Sequence, residues 1–228
     1  MSKYSNQPAT VEEVYQDMCD KIMNLQLKPG QKISENQMSD AYGVSRSVIR
    51  TVFTRLSQRR LIEVYPQRGT YISKIDLDFI ADLLLLRTAI EKEVLYEILE
   101  TMDGEKREEM VAQLRDNLEK QKEYYASEGY EMEFKSLDSE FHRILLDSVQ
   151  RHNLMELMRE HMIHIFRWRN FNVIFDHRVP ELIEQHMMIY EAIHDNDLTR
   201  ALRAMSEHLE TISNMHDRAK AKYPEYFV

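Results

Sequence analysis

Apolar residues recur every three or four positions over most of this chain, and this spacing predicts amphipathic helices. The first such stretch covers residues 11–25. Thr10 precedes it and Glu13 follows three positions later, which is the pattern of a capping box at a helix start. The sequence KPG at 28–30 favours a turn, so we expect the first helix to end before it.

Two shorter helices follow, separated by a tight turn. Residues 35–41 have a helical pattern that stops at Tyr42-Gly43, and Ser45 is a good N-cap for a second helix that extends to about Gln58. Two helices joined by a short turn containing glycine form a helix-turn-helix, whose second helix lies in the DNA major groove. The pattern therefore predicts a DNA-binding element.

A hairpin is predicted directly after this pair of helices. Residues 61–65 and 70–74 are rich in β-branched and aromatic residues, and the sequence PQRG between them favours a turn. A helix-turn-helix followed by such a hairpin is a winged helix, with Gln67, Arg68 and Gly69 at the tip of the wing.

From Leu77 onwards, glycine and proline are rare, and the pattern predicts helices only. Helices of this length suit an antiparallel bundle with an interior pocket. The predicted fold is thus mostly α, with a winged helix-turn-helix domain at 1–75 and an all-α bundle at 76–228. The predicted helices of the bundle lie near 77–101, 105–127, 130–149, 152–171, 178–195 and 197–220.

Charge divides the chain at the same place. Residues 1–75 contain 11 Lys/Arg and 7 Asp/Glu, a net charge of +4, whereas residues 76–228 contain 19 and 32, a net charge of −13. Residues 44–74 hold seven Lys/Arg against the single acid Glu63. A basic module attached to an acidic one indicates that only the first module meets nucleic acid.

The predicted DNA contacts lie at the start of the second helix and at the wing tip. The first turns of a recognition helix are the part that reaches base edges. A solvated basic face on an ordinary helix pair is the alternative, but such a face would not be followed by a hairpin with its own Arg-Gly tip. One winged helix covers a half-site only, so we expect a homodimer on a palindromic double-stranded operator. The predicted contacts are Ser45, Arg46, Ser47, Arg50, Gln67, Arg68 and Gly69.

Several features argue for a cytoplasmic protein without a membrane segment. No apolar run approaches the ~20 residues that a membrane span needs. The first ten residues lack the apolar core of a signal peptide. The single cysteine, Cys19, excludes a disulfide within the chain.

Four residues of the second half have a spacing that suits a metal site. Asp138 and His142 are four positions apart, so both project from one face of a helix. His186 and His208 are equidistant from residue 197, inside a predicted turn, so a hairpin folded there brings their imidazoles to the same height. One carboxylate and three imidazoles suit a divalent ion, with zinc as our first choice and Ni, Mn or Fe as alternatives. The other interpretation is that these are ordinary polar or core residues.

Arginines within predicted helices of the second half raise a separate question. Arg87 lies within LLLLRTAIE and needs a partner if it is buried. That partner is either a carboxylate of the bundle or the carboxylate of a small effector, since guanidinium binds carboxylate in a bidentate manner. Arg167, Trp168 and Arg169 are a second candidate lining, although we favour a surface face with Trp168 packed inwards.

Residues 11–74 resemble the GntR family of bacterial transcription regulators. The resemblance rests on the Pro-Gly turn at 29–30, the GVSR helix start at 43–46 and the Arg-Gly wing tip. This chain departs from the family pattern at Val48, where proline is usual, and at 51–53, where Thr-Val-Phe replaces Glu-Ala-Leu. The loss of the carboxylate at Thr51 affects the expected fine specificity.

The second half resembles the FCD effector domain of the FadR-type branch of that family. The resemblance rests on LRTAIE at 86–91, LDSEFHRILLDSVQRHNL at 137–154 and the residues 184–209. The resemblance implies a regulator whose operator affinity is controlled by a small, carboxylate-type effector at a metal-containing bundle. It implies the same four ligands, which fill the family's Asp-x-x-x-His, His, His pattern. A metal-dependent helical-bundle enzyme with a DNA-binding appendage is the alternative, but no nucleophile–base pair accompanies the Asp/His set.

Overall fold

The first helix, α1, covers Val11–Met23 and begins at the predicted capping box. In this computed structural model, which describes residues 9–126, 132–176, 178–210 and 220–228, Thr10 N donates to the Glu13 carboxylate at 2.7 Å and Glu13 N donates to Thr10 Oγ1 at 3.2 Å. The apolar stripe of α1 includes Met18 and Ile22, both with no exposed surface. This stripe packs against the third helix.

The helix-turn-helix consists of α2 (Glu35–Tyr42) and α3 (Arg46–Gln58). Gly43 ends α2 in the left-handed conformation, with φ of 64°, which glycine adopts without steric cost. The Ser45 side chain then caps α3 by accepting a hydrogen bond from Val48 N. The predicted helices and turn are confirmed to within one residue.

The wing forms as a small antiparallel sheet of three strands in the order β1 (Lys32–Ile33), β3 (Gly69–Ile72), β2 (Ile62–Tyr65). Only the hairpin of β2 and β3 was predicted; β1 is a further strand that pairs with β3. Gly69 has φ of 118°, and a Cβ atom there would lie 2.8 Å from Lys32 Cε. The Lys32 side chain can move away, so it is the positive φ that favours glycine at this position of the wing.

The helical part begins with α4 and includes five further α-helices in the described residues. One helix was predicted to end at residue 127, the next to begin at 130 and the last to continue beyond 210, and these positions lie outside the described residues. Helix α7 is longer than predicted by five residues. The bounds are α4 (Leu77–Tyr96), α5 (Gly104–Lys122), α6 (Met132–Ser148), α7 (His152–Asp176), α8 (Val179–His194) and α9 (Leu198–Glu210).

A π-helical turn over Glu97–Thr101 follows α4, where Met102 N donates to Glu97 O, five residues back. The main apolar core includes residues of α4, this turn, α5, α6, α8 and α9, among them Leu114, Leu145 and Met205, all with no exposed surface. The fold class, a winged helix followed by an all-α domain, is as predicted. No described helix is both long and apolar enough to span a membrane.

The chain divides into two compact units, close to the predicted boundary between residues 75 and 76. One unit extends to Leu77 and the other from Asp78. The end of the chain differs from the prediction, because residues 220–228 belong to the first unit rather than the second. Ile75 N donates to Tyr226 O at 2.8 Å, and Val228 N donates to Ile75 O at 3.2 Å. The segment is held by this pairing and by burial of Phe227.

Candidate metal centre and candidate nucleic-acid interface

The structure brings together the four residues predicted to form a metal site. Asp138 and His142 lie one turn apart on α6, His186 lies on α8 and His208 on α9, and none has any exposed surface. One potential ligand atom from each lies within 4.8 Å of the others. The predicted hairpin is the reason: α8 ends at His194, α9 begins at Leu198, and the two helices pack against each other.

The Nδ1 atom of each histidine is hydrogen-bonded to a side-chain oxygen of another helix or of the same hairpin. Such oxygens accept, so each Nδ1 carries the proton and each Nε2 presents a lone pair. These pairings favour the tautomer that a metal ligand bound through Nε2 requires. The pairs are His142 with Glu91 Oε2 at 2.5 Å, His186 with Gln121 Oε1 at 2.8 Å and His208 with Gln185 Oε1 at 3.0 Å.

The atoms that face the centre of this cluster are all lone-pair donors. His142 Nε2 and His208 Nε2 are 3.2 Å apart, and Asp138 Oδ1 is 3.7 Å from His186 Nε2. Within the described part of the chain, neither Asp138 Oδ1 nor His186 Nε2 has a hydrogen-bond partner. Buried polar atoms without a partner are costly, and a cation placed between them removes that cost.

The spacing of these atoms suits a single ion. Ligands about 2.1 Å from one ion can be at most about 4.2 Å apart. In the tetrahedral geometry that zinc prefers, ligands lie about 3.4 Å apart, which is close to the 3.2 and 3.7 Å of the two pairs given above. A pair at the outer limit of 4.8 Å would have to approach by about 1.4 Å. The donor set, one carboxylate oxygen and three imidazole nitrogens, also matches borderline divalent metals.

The protonation states of the cluster are those of metal ligands. Burial lowers the pKa of His186 to about 3 and lowers that of His208 well below its ordinary value. Burial alone would raise the pKa of Asp138, but Arg169 and His186 outweigh it and the pKa is lowered. The imidazoles are therefore neutral and the carboxylate is ionised at neutral pH, as metal binding requires.

The structure corrects our interpretation of Arg167, Trp168 and Arg169 as a surface face. All three are buried, and Arg169 Nη1 donates to Asp138 Oδ2. Positions 167–171 of α7 are all buried, so this helix is covered on every side at that level. Arginine is rarely buried, which misled the prediction. The aromatic residues Trp168 and Phe171 beside the arginines were the signal for burial.

Of the two interpretations of Arg87, the structure shows the ion pair within the bundle. Arg87 is buried, and its Nε donates to Glu91 Oε1 at 2.5 Å. Among the described residues, Arg87 Nη1 has no hydrogen-bond partner. Glu91 itself was missed by the sequence analysis, although it lies one helical turn after Arg87 and such pairs commonly interact.

The predicted DNA-contacting residues of α3 lie at the surface of the first unit. Ser45, Arg46 and Ser47 are exposed, and the hydroxyls of the two serines are 2.7 Å apart. Arg50 is exposed too, but its Nε and Nη2 donate to the Glu35 carboxylate at 3.0 and 2.8 Å. Arg50 therefore has a protein partner that the sequence analysis did not foresee.

The predicted wing-tip residues lie in the turn between β2 and β3. Gln67 and Arg68 are exposed, and Gly69 is half-buried. Arg68 N donates to Tyr65 O at 3.0 Å and closes the turn, while Gln67 has a positive φ of 62°. The turn thus presents Gln67 and Arg68 to the surroundings.

A winged helix followed by an all-helical domain with a buried Asp/His cluster is the architecture of a transcription regulator. Two family profiles match the chain: residues 10–72 match the bacterial regulatory proteins of the gntR family, and residues 82–211 match the FCD domain. The chain therefore belongs to the GntR family and carries an FCD domain. It is a DNA-binding transcription regulator and not an enzyme.

Individual relatives agree with this assignment. The chain is 29% identical to an uncharacterized HTH-type transcriptional regulator of Streptomyces ambofaciens, with 94% of this chain and 88% of the relative covered. It is 28% identical to the HTH-type transcriptional repressor RspR of Escherichia coli K12, with 95% and 92% covered. A GntR regulator from Rhodococcus sp. RHA1 shares the fold, with a TM-score of 0.68, 24% identity and 89% and 95% covered.

Proposed function

We propose that this regulator binds a palindromic operator as a homodimer, and that a divalent metal ion and a small carboxylate effector in the helical domain control its operator affinity. The observation that carries this proposal is the meeting of four fully buried side chains, each with a potential metal-ligand atom within 4.8 Å of the others. These atoms are Asp138 Oδ1 and the Nε2 atoms of His142, His186 and His208.

The metal is the first element of the proposal. Its ligands would be the four residues just named, contributed by α6, α8 and α9. Zinc is our first choice, because it accepts imidazole and carboxylate ligands together; Ni, Mn and Fe accept the same set. When bound, the ion supplies a Lewis-acidic position that can take an oxygen of an anionic ligand.

The effector is the second element. Arg87 Nη1 is a buried donor that lacks a partner among the described side chains, and an effector carboxylate would satisfy it. The positive charge of Arg87 acts on His142, His186 and His208 alike, so an anion at this arginine lies within the electrostatic reach of the centre. A tenfold change in operator affinity requires the effector to prefer one state of the protein by about 1.4 kcal/mol.

DNA recognition is the third element. The exposed residues at the start of α3, above all Arg46, would contact base edges, and the wing tip would contact the backbone or minor groove. A single reading head covers one half-site, so two-fold symmetry of protein and operator is expected. Such a protein acts in the bacterial cytoplasm, where its operator lies.

Native mass spectrometry of the holoprotein, purified with metal present, tests the proposal directly. We expect a dimer that retains metal and an acidic small molecule. Operator sites are then selected from random DNA, and affinity is measured with and without the metal and that molecule. A monomer both free and on DNA, or an operator affinity that neither component changes, would contradict the proposal.

A further inference from the structure

We infer that Glu91 is a positioning residue of the proposed metal centre, and that Arg87 acts through it. The three side chains Arg87, Glu91 and His142 form a chain of two hydrogen bonds, called here the Arg87–Glu91–His142 chain. It determines which nitrogen of His142 faces the ion. This inference rests on the proposed metal centre and adds a residue that provides no ligand.

The geometry of this chain is specific. Glu91 is 1% exposed, and its two carboxylate oxygens have separate partners: Oε1 accepts from Arg87 Nε and Oε2 accepts from His142 Nδ1, both at 2.5 Å. Arg87 and Glu91 lie one turn apart on α4, which contributes none of the four proposed ligands. Through Glu91, α4 is connected to the centre, as α5 is through Gln121 and α7 through Arg169.

Glu91 differs in kind from the partners of the other two histidines. His186 and His208 pair with the amides of Gln121 and Gln185, and a rotated amide can offer an N–H instead of an oxygen. A carboxylate can only accept, so Glu91 admits one tautomer of His142, with Nε2 unprotonated. A carboxylate behind a metal-bound imidazole also makes that imidazole a stronger ligand.

Arg87 is needed because a buried carboxylate requires a compensating charge. Its Nε holds Glu91 Oε1 and orients Oε2 towards His142. Removing Arg87 would leave the charge of Glu91 unpaired in the interior. Nη1 remains for an effector anion, so the positioning role and the proposed anchoring role use different atoms of Arg87.

A purely structural ion pair is the competing explanation, and the two differ in what they do to the metal. The substitution Glu91→Gln keeps the shape but lets an amide N–H face His142 Nδ1, which favours the tautomer with Nε2 protonated. We expect metal affinity to fall about 10- to 100-fold, the usual effect of losing such a partner. Glu97→Gln is the matched control. Glu97 lies in the π-helical turn after α4, and its carboxylate pairs with Arg151 at the surface.

The experiment measures Co²⁺ and Zn²⁺ affinity by chelator competition, together with the visible absorption spectrum of the Co²⁺-loaded dimer. Glu91→Gln should weaken binding and alter the spectrum, whereas Glu97→Gln should match the wild type in both. Because Glu91→Gln leaves Arg87 unpaired, the double variant Arg87→Leu/Glu91→Gln restores charge balance. It should bind metal as weakly as Glu91→Gln does, and it replaces that variant if the single substitution does not fold.

The possible failures are distinct. If the wild type binds neither ion, the proposed metal centre is wrong and the role of Glu91 falls with it. If the wild type binds metal but Glu91→Gln, or the double variant, binds with the same affinity and the same spectrum, only the inference about Glu91 is wrong. Recovery of wild-type metal affinity in the double variant would likewise contradict the inference, because it would show that the unpaired charge of Arg87 alone had weakened metal binding.

Discussion

The Nε2 atoms of His142 and His208 lie 3.2 Å apart, although 66 positions separate these residues in the sequence. Each imidazole is hydrogen-bonded through Nδ1 to an oxygen, of Glu91 in one case and Gln185 in the other. With these pairings, the unprotonated Nε2 atoms of the two imidazoles face each other in the protein interior. This arrangement is unfavourable unless a cation lies between them, and the following predictions begin from that point.

Metal removal should destabilise the helical domain. A ligand that binds only the folded state stabilises it by about 2.7 kcal/mol at a free concentration of 100 times Kd. We therefore expect the melting temperature to fall after treatment with a chelator and to recover when Zn²⁺ is added in excess. His194→Ala, on the exposed end of α8, should respond as the wild type does. A melting temperature that is indifferent to chelator and to Zn²⁺ would argue against the centre.

Arg46 should contribute to operator recognition. Arg46→Ala should cost about 1–3 kcal/mol of binding free energy if the guanidinium contacts a base edge. If it contacts a phosphate instead, binding to all sequences should weaken alike and the salt dependence should become shallower. Fluorescence anisotropy with operator and random DNA separates these outcomes, with Arg143→Ala, a substitution of an exposed residue of α6, as the control. Unchanged binding to both DNAs would remove Arg46 from the interface.

Glu35 should sharpen sequence discrimination through Arg50. Its carboxylate holds two donors of the Arg50 guanidinium, and such a bidentate pair restricts the orientation of the group. Glu35→Gln should raise affinity for random DNA, because it removes a negative charge, and should lower the ratio of operator to random affinity. In an Arg50→Ala background the same substitution should leave the ratio unchanged. A ratio lowered equally in both backgrounds would mean that Glu35 acts independently of Arg50.

The DNA-binding unit should lose stability at alkaline pH through Tyr42. Burial and the hydrogen bond that Tyr42 donates to Asp17 raise the tyrosine pKa to about 12. Between the ordinary value near 10 and about 12, the unfolded chain ionises while the folded chain does not, so stability falls as pH rises. Urea unfolding at pH 9, 10 and 11 should show this slope. Tyr42→Phe should reduce it, and an equal slope in that variant would assign the loss to other groups.

Helix positions and the four clustered residues could be predicted because they depend on short-range spacing. Asp138 and His142 share a face of one helix, and His186 and His208 are symmetric about a turn, where Asn196 adopts a positive φ of 55°. Such relationships follow from 3.6 residues per turn and from the folding of a hairpin. Spacing predicts each pair separately, whereas the meeting of the two pairs in one site was implied by the resemblance to the FCD domain.

Other features depend on which helix faces meet, and spacing alone does not determine this. Burial of Arg167 and Arg169 follows from the position of α7 among its neighbours, and the role of Glu91 follows from α4 meeting α6 at His142. The pairing of the chain end with Ile75 rests on two backbone hydrogen bonds, which leave no periodic signal in the sequence.

Metal stoichiometry of the wild type against His208→Ala tests the central claim most directly. Both proteins, together with the surface control His194→Ala, are purified identically from metal-replete cultures and analysed by inductively coupled plasma mass spectrometry. We expect one divalent ion per chain in the wild type and the control, and a clear loss in His208→Ala, which removes a ligand from α9. Equal occupancy in wild type and His208→Ala, or a wild type without metal, would contradict the account.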